Sequence, residues 1–102
     1  MATSKIQAAR NIETGTVAST TSYDVTYALD KVTGLVTVHA QVKGTAISGG
    51  SATVTLPTKL IPRQGEDAAL SGGGYVGVRT NGELYIVTTA IWTAVSLTYF
   101  TA

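Results

Sequence analysis

The chain has no cysteine, two prolines, one histidine and one tryptophan among its 102 residues. Without cysteine there is no disulfide framework, zinc knuckle or thiol nucleophile, so a 10.5 kDa domain must hold together by packing or by association. Charge is scarce as well. Charged residues make up 13% of the chain, seven basic against six acidic, for a formal charge of +1. Such a balance lacks the basic footprint of nucleic-acid or anionic-bilayer binding, and with 44% apolar residues it excludes charge-driven disorder. Long apolar runs are missing too, because Thr, Ser, Gly or a charge interrupts each one well short of the roughly 20 residues that cross a bilayer. Residues 1–10 also lack the roughly 7–15-residue apolar stretch of a secretory signal. The expectation is one domain with no signal peptide and no membrane insertion, made and assembled in the cytoplasm.

What is present is alternation. Val, Thr and Tyr recur with period two between glycine clusters, the pattern of half-buried strands, and this predicts an all-β domain, a small antiparallel β-barrel or sandwich. Residues 1–22 read as an N-terminal arm or linker: 3–13 carry a faint helical spacing and form an arm, helical or extended, and 14–22 suit a linker or a short edge strand. The β domain is placed at 23–102. Its first hairpin joins Tyr23–Asp30 to Leu35–Lys43 through a loop ending in Gly34. Opposing Asp30 to Leu35 gathers Leu29 with Val36, Tyr27 with Val38 and Val25 with Ala40 on one face, and a one-residue slip would send one set to solvent. Further along, Ala52–Leu56 reads as a strand, Leu60 and Ile61 as plugs at one end of the core, and Gln64–Asp67 as a polar turn. In the second hairpin a three-residue loop with Gly82 in a bulge opposes Arg79 to Glu83 and Val78 to Leu84. That register keeps one face aliphatic and predicts a charge pair at the tip. The last strand spans Ala94–Phe100, with Val95, Leu97 and Tyr99 on one face.

Catalysis needs titratable groups that converge, and few exist here. His39, the only histidine, is placed on the outward face beside Thr26 and Thr37, where no nucleophile elbow or triad spacing accompanies it. Metal binding has one His, no Cys and the lone pair Glu66-Asp67, which is no calcium-loop pattern. Gly72-Gly73-Gly74 lacks the Lys-Ser/Thr and the following helix of a phosphate cradle. The sequence therefore predicts no enzyme, no metal site and no cofactor. Candidate ligand contacts are aromatic and polar: Trp92, Tyr75 and Tyr85 for stacking, with Arg79 and His39.

The order Leu56-Pro57, Ile61-Pro62, the hairpin Val78-Arg79-Thr80-Asn81-Gly82-Glu83-Leu84-Tyr85-Ile86, then Trp92 and a last strand ending near Tyr99 resembles a phage family. This is the C-terminal head domain of siphophage tail-tip and baseplate proteins, with the receptor-binding proteins of lactococcal phages as type case. The resemblance spans roughly residues 23–102. It implies a homotrimer in the virion, at the tail tip and in contact with other tail or baseplate proteins, serving structure or host adsorption without enzymatic activity. An alternative it allows is a module that binds host cell-wall saccharide. Where those heads carry a His, an Asp and an aromatic of the saccharide site, this chain has Tyr75, Gly77 and Ile86. The carry-over thus concerns fold and place rather than that sugar site.

Overall fold

A computed structural model of the chain describes residues 11–102. The first hairpin turns where the sequence puts its turn residues. Asp30 Oδ1 accepts the backbone N–H groups of Val32 (3.0 Å) and Thr33 (3.4 Å), and Gly34 at φ +78° donates its N–H to Asp30 O at 2.7 Å. The flanking strands, β2 (Tyr23–Asp30) and β3 (Leu35–Val42), pair with Asp30 opposite Leu35 and Val25 opposite Ala40, the register that apolar alternation requires. β1 (Ile12–Ser19) pairs with β2 on its far side. The packed unit thus starts at Ile12 rather than Tyr23, and residues 14–19 take the edge-strand course instead of a linker. Of the two forms open to the 3–13 arm, Ile12 and Glu13 take the extended one; residues 3–10 lie outside the described residues.

The second half of the chain makes the other sheet. β4 (Ser51–Thr55), β5 (Glu66–Ala69), β6 (Tyr75–Val78) and β7 (Glu83–Val87) lie in the order β4-β7-β6-β5, while β8 (Thr93–Phe100) returns to the first sheet to give β1-β2-β3-β8. Every pairing is antiparallel. The sheets are not closed into a barrel, so the sandwich alternative is the one adopted. Glu66 and Asp67, expected in a turn, open β5 because Asp67 pairs with Gly77 and Ala68 with Val76. The glycine cluster forms the tight β5–β6 turn, with Gly72, Gly73 and Gly74 all at positive φ. Its backbone is pinned by two threonines, Thr88 Oγ1 donating to Gly73 O and Thr93 Oγ1 to Ser71 O, each at 2.8 Å.

The core lies between the sheets. Val25, Val36, Val38, Leu97 and Tyr99 face Val54, Val76, Val78, Leu84 and Ile86, all buried. Leu60 and Pro62 close one end; Ile61, expected as a plug beside Leu60, is only half-buried. The physical reason is a change of backbone at this point: Leu60 closes the short 3-10 turn Thr58–Leu60 with its side chain inward, and the extended Ile61 that follows lays its side chain toward Gly82 instead. Tyr99 reaches through the core to donate from its hydroxyl to Leu60 O at 2.7 Å, and burial pushes its pKa up to about 12.

Candidate functional site

Three of the five residues singled out for ligand contact come together on the outer face of the second sheet. Strand alternation puts Tyr75 and Gly77 outward on β6 and Tyr85 outward on β7, and the Gly82 turn places Arg79 at the same face. Gly77 stands opposite both Tyr85 and Asp67. A Cβ at Gly77 would lie 2.1 Å from Asp67 Oδ1 and 2.8 Å from Arg79 Nη1, so the missing side chain is what lets these two groups meet across the strand. They form an ion pair at 2.8 Å, and the Asp67 carboxylate holds the Arg79 pKa above its usual value. Arg79 Nη1 also donates to Val78 O at 3.0 Å, and the guanidinium lies 5.8 Å from the centre of the Tyr85 ring.

The predicted Arg79–Glu83 charge pair is corrected here. The backbone register is as expected, with Arg79 N–H donating to Glu83 O at 2.9 Å, but the guanidinium turns across the strand to Asp67. Glu83 is taken instead by its own neighbours: Tyr85 Oη donates to Glu83 Oε1 at 2.6 Å and Asn81 Nδ2 to the same oxygen at 2.7 Å. The Tyr85 pKa is raised, first by this hydrogen bond to the carboxylate and then by desolvation. The result is an outward face on which a ring, a guanidinium and a carboxylate are brought together by these contacts. Such a face suits stacking and hydrogen bonding to a hydroxyl-rich ring; it offers no activated nucleophile.

Trp92 and His39 lie elsewhere. Trp92 sits in the β7–β8 loop, at the end of β7 remote from Arg79, and the residue is 70% exposed. It is the one non-glycine residue at positive φ among those described (+53°), its N–H donates to Lys43 O at 3.2 Å, and a Cβ at Gly44 would come within 2.8 Å of the ring. An exposed indole held in a costly backbone conformation over a glycine is the geometry of a contact residue rather than a core residue. His39 is on the outer face of the first sheet, as its alternation required, with Nδ1 3.0 Å from Ser96 Oγ on β8. The five candidates thus occupy three separate places. Among the described residues no cluster of three His, Cys, Asp or Glu is arranged to hold a metal.

A cleft of about 390 Å³ opens between β5 and β8, lined by Leu35, Arg63, Gln64, Glu66, Thr98 and Phe100, with Tyr99 at its floor. None of these residues carries a motif, because the cleft is assembled from both sheets and the β4–β5 connection. The one available signal was Phe100, a large apolar residue on the polar face of β8. The fold and these surfaces define a two-sheet antiparallel β-sandwich with aromatic groups presented outward. No family model matches the chain, and neither the curated proteins nor the solved structures contain a significant match to it.

Proposed function

We propose that this chain is a non-enzymatic virion protein of a phage tail tip or baseplate, a homotrimeric structural or host-adsorption subunit working beside other tail proteins. The observation that supports the reading is where the family-like residues fall: Leu56 and Pro62 are buried, the Arg79–Glu83 turn joins the second hairpin, Trp92 stands exposed in the β7–β8 loop, and Tyr99 is buried on β8. One continuous piece of the fold is built from the stretch that carries the resemblance. Association also suits a 102-residue chain without disulfides, which gains from burying surface between copies. Sedimentation at micromolar concentration is expected to give three chain masses, and immunogold labelling of purified virions to mark the tail tip. A monomer, or unlabelled particles, overturns the reading.

A second reading, a module that binds host cell-wall saccharide, is favoured by the fixed Tyr85–Arg79–Asp67 face and by exposed Trp92. Titration with cell-wall polysaccharide fragments is expected to change Trp92 fluorescence, or to perturb Tyr85, if either surface is used. No response at either residue leaves the structural role alone.

A further inference from the structure

Of the large apolar side chains exposed among the described residues, Ile12, Leu35 and Phe100 fall on one line. Register puts them there. Ile12 stands opposite Asp30, Asp30 opposite Leu35, and Leu35 opposite Phe100, so the row crosses all four strands at one end of the first sheet's outer face. The next rows are Thr14, Ala28, Thr37 and Thr98, then Thr16, Thr26, His39 and Ser96, with no carboxylate, Lys or Arg in either. Exposed apolar groups gathered in one place and rimmed by polar ones mark an interaction surface. The outer face of the second sheet suits this less, because its strands are four or five residues long and it carries Asp67, Arg79 and Glu83. Four eight-residue strands give the first face roughly 27 by 19 Å, about 500 Å² in outline. That is the share each partner brings to a specific interface of about 1,000 Å².

The charges on this row indicate what covers it. Among the described cations Lys31, Lys43, Lys59 and Arg79 each meet a carboxylate, and Arg63 alone does not. Its guanidinium lies 5.6 Å from the centre of the Phe100 ring, at the β8 end of the row. Asp30, nearer the β1 end, meets no cation among the described residues; its Oδ1 accepts the turn N–H groups of Val32 and Thr33. Two strand spacings, roughly 10 Å, separate Asp30 from Phe100 along the row, so the two charges do not pair within one chain. Around a three-fold axis parallel to the strands, the β8 side of one face adjoins the β1–β2 side of the next. Arg63 of one copy then faces Asp30 of its neighbour, and the three rows close into a single apolar belt.

We propose that the outer face of the first sheet is where copies of this chain meet, with Ile12, Leu35 and Phe100 at the centre of the contact and Arg63 paired to Asp30 of the adjoining copy. The inference rests on the homotrimer reading and adds to it the surface and the ion pair that hold the copies together.

Sedimentation of the full chain at micromolar concentration tests it. Wild type is expected at three chain masses and Phe100→Glu, which puts a carboxylate into the belt, at one. Asp30→Asn keeps the oxygen that caps the turn and loses the charge, and Arg63→Gln loses the other. Each is expected to raise the dissociation constant at least about tenfold, and the double variant little further than either alone. Thr53→Lys, exposed on the outer face of the second sheet, is expected to leave the mass unchanged. None of the four positions is buried, so the variants should fold, and far-ultraviolet circular dichroism checks this directly. A monomeric wild type removes the homotrimer reading and this inference with it. A trimer that survives Phe100→Glu, that Thr53→Lys breaks, or in which the two charge losses simply add, overturns this inference and leaves the homotrimer reading standing.

Discussion

At the scale of single residues, neighbouring glycines with similar backbone angles play unequal parts. Gly73 (φ +102°) has open space where a Cβ would go, whereas a Cβ on Gly74 (φ +89°) would fall 1.9 Å from Val87 O. Gly73→Ala should therefore cost only the left-handed backbone penalty, about 1–2 kcal/mol, while Gly74→Ala adds displacement of the β7 backbone and should cost clearly more. Urea unfolding of the two variants reads the difference. Tyr99 supplies a second residue-scale prediction. Its neutral form is favoured in the folded chain, since the pKa stands at about 12 against an ordinary 10.0. Its contribution is thus full below pH 10 and is lost as pH rises toward 12. Tyr99→Phe should flatten that alkaline limb and, by orphaning the Leu60 carbonyl, cost about 1–2 kcal/mol near neutrality.

At the scale of elements, β1 is held less by burial than by one carboxylate. Its side chains are exposed or half-buried, but Glu13 receives Lys59 from the β4–β5 connection, Tyr27 Oη from β2, and Lys31 at 3.4 Å from the first turn. The hydrogen bond from Lys59, then that from Tyr27, holds the Glu13 pKa at about 2 against 4.5. The sign is that of a depressed acid: the stabilisation is present above pH 4.5 and disappears as pH falls toward 2. Amide exchange along β1 should therefore accelerate over that range ahead of β2 and β3. Glu13→Gln should show the faster exchange already at pH 7 and lose the acid dependence. If β1 opens only together with its neighbours, Glu13 is not the latch. Alternation made β2, β3, β7 and β8 readable because each has a dry and a wet side. β1 has only a partial dry side, with Gly15 lying under the Tyr27 ring, and so its sequence reads as linker as easily as strand.

At the scale of the whole molecule, a single core joins the sheets, with Leu84 and Ile86 of one packed toward Val36, Val38 and Leu97 of the other. Leu84 is fully buried, so Leu84→Ala should cost about 2–5 kcal/mol. With one core and no separate unit among the described residues, tyrosine near-ultraviolet signal and far-ultraviolet strand signal should be lost at the same denaturant concentration, in wild type and variant alike. Divergent midpoints would mean that the sheets unfold independently. The pairing of Arg79 belongs to this scale as well. Its partner along the hairpin was visible in local register; its actual partner, Asp67, arrives from another strand through a gap left by Gly77, and no spacing in the chain announces it.

The sequence by itself determined the all-β class, both hairpin registers and the outward placing of His39, Tyr75 and Tyr85. Those depend on period-two alternation and on glycine at the turns, which act between residues close along the chain. Only tertiary structure decided that β8 would leave the second hairpin to join β3, that Arg79 would choose Asp67, and that Arg63, Glu66 and Phe100 would share a cleft. Those outcomes depend on which distant segments can bury their apolar sides together, and one chain's local pattern is compatible with several such pairings.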